Sequence, residues 1–499
     1  MINMARGGHF VHGDRTFGCL LISSPQGHSG KTIVTVGLCN LLSQRGLLIQ
    51  PFKKGPDYID PSWLTIAAGR SCRNLDLFLV PKEKLVQTFK QTCRKADLAI
   101  VEGAMGLYDG LDAQGTTAEI ARLLNIPIVL VVNTSRMTSS IAAMVKGYQL
   151  FQKGIEIAGV ILNYVSGVRH EKKLKDAVEQ YCGIPVVGSI PKDEGLRITE
   201  RHLGLIPSSE SSEAELSIER IGRKLESRLD LDQILTLARS SKAPQVSSPF
   251  LKKEKTKKSS LPFKERDRGR GTARTQKVRI GIIRDRAFNF YYPENLEALA
   301  MEGAELLFID SFKDRLPKVD GLYIGGGFPE FFLKELEGNR GLRQDIGKAV
   351  HKNLPVYAEC AGLMYLCRSI SWNRRSYEMV GVIPSEISLS DRPEGHGYVI
   401  AKVINENPLF PVRLTIRGHE FHHSNLLPID DLQFAYRIQR GKGIADKKDG
   451  IVFKNLFASY VHLHALGTPE WAKSFVALAS KGKRATRRLI YAKDKACHA

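Results

Sequence analysis

Two successive α/β domains, each built on a doubly wound parallel sheet, are the fold class that this 499-residue sequence predicts. Three observations predict it. Short uninterrupted apolar runs alternate with helical patterns up to residue 240, the same alternation restarts at Lys277, and between them lies a stretch rich in Lys, Arg, Ser and Pro with no hydrophobic period. Runs that are apolar at every position belong to strands covered on both faces, and βαβ crossover helices supply that cover. The chain is also too long for a single core.

The elements follow in order. "FGCLLISS" (17–24) reads as a strand, followed by a glycine-containing turn and the helical "KTIVTVGLCNLLSQRG". "LLIQPFKK" (47–54), "ADLAIVEGAMG" (96–106), "IPIVLVVN" (126–133), "IEIAGVILNYV" (155–165) and "IPVVGSIPKD" (184–193) are further strands, and 211–240 is an amphipathic helical region. The second domain opens at "KVRIGIIRD" (277–285) and continues through "GLYIGGGFPE" (321–330), "LPVYAECAG" (354–362) and "LFASYVHLH" (456–464). The expected division is a flexible N-terminus 1–16, a first domain 17–240, a basic flexible linker 241–276, a second domain 277–480 and a basic tail 481–499. No internal repeat is visible.

Charge and cysteines exclude several classes. The net charge of +21 invites a nucleic-acid reading, but residues 252–277 hold eleven Lys/Arg against three acids and 481–495 hold seven against one, so these two segments carry +14 of it. Charge concentrated in stretches without hydrophobic period reads as a solvated linker and tail, and no specific nucleic-acid partner is expected. There is no run of eighteen apolar residues and no secretory apolar core before Gly18, so no membrane association and a cytoplasmic location are expected. The eight cysteines contain no Cys-x-x-Cys pair, which argues for reduced thiols and against structural zinc. A two-fold homodimer is the default oligomer.

"SSPQGHSGKT" (23–32) sets Gly27, Gly30, Lys31 and Thr32 between a strand and a helix. Glycine lets backbone N–H groups close on phosphate oxygens, the helix N-terminus adds positive potential, Lys31 neutralises the outer phosphates and Thr32 offers a hydroxyl to Mg²⁺. Pro25 departs from the strict motif by replacing its first glycine. Asp57 in "KKGPDYIDP" and Glu102 in "VEGAMGLYDG" end two further strands, and strand ends on one edge converge at the ligand crevice. Thr32, Asp57 and Glu102 are therefore the expected metal ligands.

"VYAECAGLMYL" is a strand, a sharp turn and a helix, with Cys360 at the turn. That arrangement exposes a thiol and aims a helix N-terminus at it, favouring thiolate. "SYVHLH" supplies His462 and His464 as candidate bases, and the backbone N–H groups of Gly326, Gly327 and Ala361 form a candidate oxyanion hole.

The chain resembles the cobyrinate a,c-diamide synthase family, in which a dethiobiotin synthetase-like ATP-dependent domain is fused to a class I glutamine amidotransferase domain. "KKGPDYIDP", "RNLDLFL", "VEGAMGLYDG", "GVILNYV", "ERHLGLIP", "GGGFPE" and "ASYVHLH" carry the resemblance in the family's order, over roughly 17–208 and 277–470. The resemblance implies ATP- and glutamine-dependent amidation of the a and c acetate carboxylates of cobyrinate in cobalamin biosynthesis. It implies Cys360 as glutaminase nucleophile, His462 as its base, Asn163 as reader of adenine, Asp57 and Glu102 as holders of metal and ATP, and Tyr58, Ile59 and Asp109 as substrate positions. Related glutaminases carry a glutamate two residues after that histidine; this chain has His464, so the third member of the triad is open. Trp63-Leu64 also replaces a family Phe-His pair, and Asn133 an expected aspartate. A sirohydrochlorin-derived ring is the alternative substrate. A ParA-like nucleotide switch binding nucleic acid is the alternative class, and it leaves Cys360, His462 and the Gly326–Gly327 pair without a role.

Overall fold

A computed structural model describes residues 17–111, 115–198, 200–201, 204–241 and 277–482. The expected N-terminal segment, nearly all of the basic linker and nearly all of the tail lie outside the described residues.

The first domain alternates strands and helices: β1 (Gly18–Ser23), α1 (Lys31–Gln44), β2 (Ile49–Lys54), α2 (Ile59–Ala68), β3 (Arg73–Leu75), α3 (Lys82–Cys93), β4 (Leu98–Glu102), α4 (Thr117–Leu124), β5 (Ile128–Asn133), α5 (Ser140–Phe151), β6 (Ile157–Val165), α6 (Val168–Cys182) and β7 (Val186–Pro191). The seven strands form one sheet in the order β3-β2-β4-β1-β5-β6-β7, and every pairing is parallel. β1 is fully buried along its length, which is why its apolar residues run unbroken from Cys19 to Ile22 rather than at alternate positions. The sheet has a separate apolar core on each face, as a doubly wound fold requires. A short hairpin, β8 (Glu200–Arg201) and β9 (Gly204–Leu205), precedes α7 (Ala214–Glu226) and α8 (Leu231–Ser240), so the amphipathic region is two helices rather than one.

The second domain begins with β10 (Val278–Ile283), α9 (Pro293–Met301), β11 (Ala304–Ile309), β12 (Gly321–Ile324), α10 (Leu333–Gly338), α11 (Arg340–His351), β13 (Val356–Glu359) and α12 (Ala361–Leu366). It continues with β14 (Cys367–Trp372), β15 (Arg375–Glu378), β16 (Ile383–Leu389), β17 (Gly395–Val403), β18 (Thr415–His422), β19 (Ser424–Leu427), β20 (Gln433–Arg440), β21 (Lys448–Phe453), β22 (Leu456–Ser459) and β23 (His462–Leu463). Its ten-stranded sheet runs β11-β10-β12-β13-β22-β21-β20-β17-β18-β23. The half from β11 to β22 is parallel and matches expectation. The half from β21 to β23 is antiparallel, and a separate four-stranded sheet, β15-β14-β16-β19, packs beside it.

The domains meet at the ends of their sheets. Tyr58, just before α2, stacks on Phe290 with ring centroids 4.8 Å apart and planes 5° from parallel. Arg73 of β3 bonds Glu294 at 3.0 Å and Glu297 at 2.5 Å on α9, and the Tyr398 hydroxyl donates to Asp76 at 2.6 Å. Tyr292 of the second domain is completely buried in the core of the first.

Candidate functional site

The loop after β1 returns into α1 through Gly30, whose backbone is left-handed at φ +91°. A side chain there would be strained, and its Cβ would collide with the Asn163 amide. No acid stands in the first turn of α1 and no side chain caps it, so its first N–H groups remain for an anion. Lys31 is buried and folds back over the loop, donating to the Ser24 hydroxyl at 2.8 Å and the Gln26 carbonyl at 3.3 Å. Burial, then the nearby Lys53 ammonium, lower its pKa to about 8. Gly27 lies in the same loop with open space around it. Asn163 donates from Nδ2 to the Ser29 carbonyl at 2.9 Å and accepts the Tyr164 N–H at 3.0 Å, so it braces the loop from β6. A cleft beside it is lined by Gly30, Ile33, Tyr164, Pro191 and Arg197, among others.

Register places the acids. Glu102 of β4 lies opposite Ile22 of β1 on one side and Lys53 of β2 on the other. Its Oε1 accepts from the Thr32 hydroxyl at 2.7 Å and from Lys53 Nζ at 2.7 Å. Lys53 also bonds Asp60, and its ammonium is 3.8 Å from Asp57. Burial works against the Lys53 cation, but Asp60, Glu102 and Asp57 outweigh it and hold its pKa well above the ordinary value. Asp57 itself is raised, by desolvation and then by the Asp60 carboxylate. Its Oδ1 accepts the N–H groups of Ile59 at 2.8 Å and Asp60 at 3.2 Å, closing the turn into α2.

Two residues of this cluster, Lys53 and Asp60, were not singled out in the sequence. Among the described residues no group of three or more His, Cys, Asp or Glu is arranged to hold a metal by itself. The expected trio of Thr32, Asp57 and Glu102 is thus tied together through Lys53. One observation does fit Mg²⁺: Glu102 Oε2 is buried with no hydrogen-bond partner, beside the Thr32 hydroxyl and the phosphate loop, a hard oxygen set.

The three expected substrate positions part company. Tyr58 points into the domain junction, with its ring 4.6 Å from Tyr292, 5.6 Å from His419 and 5.4 Å from His462. Ile59 begins α2. Asp109 is exposed and accepts the Gly106 N–H at 2.7 Å, closing the turn after β4. Trp63 and Leu64 are core residues, and the Trp63 indole donates to the Ile206 carbonyl at 2.8 Å. Asn133 accepts the Ser135 N–H at 3.0 Å.

In the second domain three adjacent parallel strands bring the remaining residues to one edge. Ile324 of β12 pairs with Ala358 of β13, and Glu359 of β13 with Ser459 of β22. Gly326, Cys360 and His462 follow those three strand ends. Cys360 holds the strained backbone of a sharp elbow, φ +47° and ψ −103°, and its N–H donates to the Ser459 carbonyl at 2.8 Å. The Ala361 N–H faces its sulfur. A Cβ on Gly326 would collide with the His462 imidazole, so glycine is what lets this backbone approach the ring. The Gly325 N–H is taken by the Tyr291 hydroxyl at 2.7 Å, and Gly326 and Gly327 follow it.

The thiol departs from expectation. Cys360 is 4% exposed, and burial, then Glu330, push its pKa well up despite the helix N-terminus. A six-residue helix does not outweigh desolvation, which favours the thiol over the thiolate. His464 turns away from the cysteine: its Nε2 lies 3.7 Å from Glu294 and its ring packs 4.6 Å from Tyr292. Glu359, also overlooked in the sequence, lies buried with its Oε2 3.7 Å from His462 Nδ1.

Comparison with known proteins agrees with both halves. Residues 20–206 match the family of CobQ/CobB/MinD/ParA nucleotide binding domains, and 279–470 match the CobB/CobQ-like glutamine amidotransferase domain. The chain is 42% identical to a cobyrinate a,c-diamide synthase of Magnetococcus marinus over 91% of its own length and 95% of the relative's. It is 39% identical to one of Methanosarcina barkeri, covering 92% and 95%, and 38% identical to one of Archaeoglobus fulgidus, covering 93% and 98%. No helix among the described residues is long and apolar enough to cross a membrane.

Proposed function

Because the chain belongs to the cobyrinate a,c-diamide synthase family, we propose that it amidates the a and c acetate carboxylates of cobyrinate with its two sites dividing the work. It is a glutamine-hydrolysing ligase that binds ATP. A carboxylate does not condense with ammonia at neutral pH; phosphorylation by ATP turns it into an acyl phosphate, which does.

The first domain activates. The α1 N-terminus and Lys31 bind the phosphates, and Asn163 with the cleft beside it receives the base. Thr32 and Glu102 would hold Mg²⁺, which supplies charge neutralisation at the transferring phosphoryl group. Lys53 holds Glu102, Asp57 and Asp60 together at the mouth of the phosphate loop.

The second domain supplies nitrogen. His462 removes the Cys360 proton, sulfur attacks the glutamine amide carbon, and the N–H groups of Gly326, Gly327 and Ala361 receive the oxyanion. Collapse expels ammonia, which carries the proton from His462, and water then hydrolyses the thioester.

The observation that carries this reading is the segment Asp57–Asp60. It touches the Glu102–Lys53 cluster through its acids and the glutaminase histidine through Tyr58. One turn of chain thus lies between the source of ammonia and its acceptor. Tyr58 at the domain junction, Ile59 at the start of α2 and Asp109 in the turn after β4 remain the proposed substrate positions. A cobyrinate substrate is favoured over a sirohydrochlorin-derived one because the relatives are named for the former. The amidotransferase domain has no part in a ParA-like switch. A cytoplasmic homodimer belongs to the same reading. The test is product analysis with MgATP, glutamine and cobyrinate against sirohydrochlorin: two-amide cobyrinate supports it, and turnover of sirohydrochlorin alone replaces the substrate.

A further inference from the structure

Glu359 is the last residue of β13, immediately before Cys360, and is completely buried. A buried carboxylate needs hydrogen bonds in place of water. Its Oε1 accepts from the Tyr357 hydroxyl at 2.8 Å and the Leu463 N–H at 3.0 Å, and its Oε2 from the Tyr323 hydroxyl at 2.9 Å. All three donors are uncharged, so the charge is solvated but not neutralised. The same Oε2 lies 3.7 Å from His462 Nδ1, a buried nitrogen without any hydrogen-bond partner. The contact is about 1 Å longer than a charge-assisted hydrogen bond, a gap of the kind that closes when substrate binds. Among the described residues no other carboxylate is paired with this imidazole, and the histidine two residues on is engaged by Glu294 instead.

We propose that Glu359 is the positioning residue of the glutaminase, holding the Nδ1–H of His462 so that Nε2 is the nitrogen that accepts the Cys360 proton. The carboxylate keeps its charge throughout. The proton leaves Cys360 Sγ for Nε2 as the sulfur–carbon bond forms, and leaves Nε2 for the departing nitrogen as the carbon–nitrogen bond breaks. The imidazolium that exists between those steps faces the fixed negative charge of Glu359. The orienting acid thus comes from the strand that carries the nucleophile rather than from the segment that carries the histidine.

This inference rests on the glutaminase reading of Cys360, and the two fail separately. The measurement is glutamine-dependent amidation by the full chain, with its pH profile, in Glu359→Gln and Glu359→Asp, with ammonia-dependent amidation reporting the fold. Glu359→Gln is expected to lower glutamine kcat by about 10² or more, with KM changed little. Its acid limb in kcat/KM should move to lower pH, because the imidazolium has lost its anion. Glu359→Asp should recover part of the rate with the limb near its original place. Glutamine kcat within about threefold of the parent, an unmoved limb in both variants, or equal loss of glutamine- and ammonia-dependent amidation overturns the proposal. If Glu359→Gln does not fold, Glu359→Asp decides by rate: glutamine kcat lowered by more than about threefold with ammonia-dependent amidation kept supports the proposal, and a smaller change or an equal loss of both activities overturns it. Normal glutamine use by Cys360→Ala would overturn the glutaminase reading instead.

Discussion

Lys31 is bonded to its own loop, with burial and Lys53 lowering its pKa to about 8. Phosphate binding requires the ammonium, so nucleotide binding takes up a proton wherever the free lysine is neutral. Affinity should be flat below pH 8 and fall by up to about tenfold per unit above it, with proton uptake approaching one. Calorimetry at pH 9 in two buffers of different ionisation enthalpy reads this directly. Cys360→Ala should lower glutamine-dependent amidation by more than about 10³-fold and leave ammonia-dependent amidation intact, since the thiol serves only the second domain. Lys53→Met should cost about 3–5 kcal/mol in urea unfolding, because Asp60 and Glu102 lose the cation that compensates their burial. Lys31, Thr32, Cys360 and His462 are legible in the sequence because each sits in a local pattern that carries its own chemistry. Lys53 is not, because only the pairing of β2 with β4 distinguishes it from Lys54. Glu359 is hidden for a different reason. Alternation along a strand sends neighbouring side chains to opposite faces, which separates Glu359 from Cys360 on paper. The bend at Cys360 and the arrival of His462 at the start of β23 restore the connection.

At the scale of elements, the turn from Asp57 into α2 is the piece that belongs to both sites. Asp57 caps it, Asp60 reaches the Lys53 cluster, and Tyr58 fills the space against Phe290, Tyr292 and His462. Tyr58→Ala removes that filling. Glutamine hydrolysis should then outrun amide formation, raising their ratio by severalfold, while amidation from added ammonium stays within about threefold of the parent. Simultaneous assay of glutamate and amide checks it. The parallel strands were legible here because continuous apolar runs mark them. Several strands between β14 and β21 were not: β16 alternates buried and exposed positions from Ile383 to Ser388, a weaker signal than an unbroken apolar run.

For the whole molecule, the two domains are locked together by Arg73 with Glu294 and Glu297, by Tyr398 with Asp76, and by Tyr292 inserted into the first domain's core. Arg73→Ala leaves Glu294, 4% exposed, without its cation, and should lower stability by about 3 kcal/mol. Differential scanning calorimetry should show two transitions moving apart if this contact couples the domains. Such an interface has a purpose only if ammonia crosses it without meeting water, because free ammonia becomes ammonium at neutral pH and is lost as a nucleophile. The most direct test is isotopic: glutamine labelled with ¹⁵N in its amide, MgATP and cobyrinate, in the presence of a large excess of unlabelled ammonium at pH 7. Diamide carrying ¹⁵N at close to the enrichment of the glutamine is the predicted result; diamide diluted to the enrichment of the bulk ammonium would contradict a direct passage between the two sites.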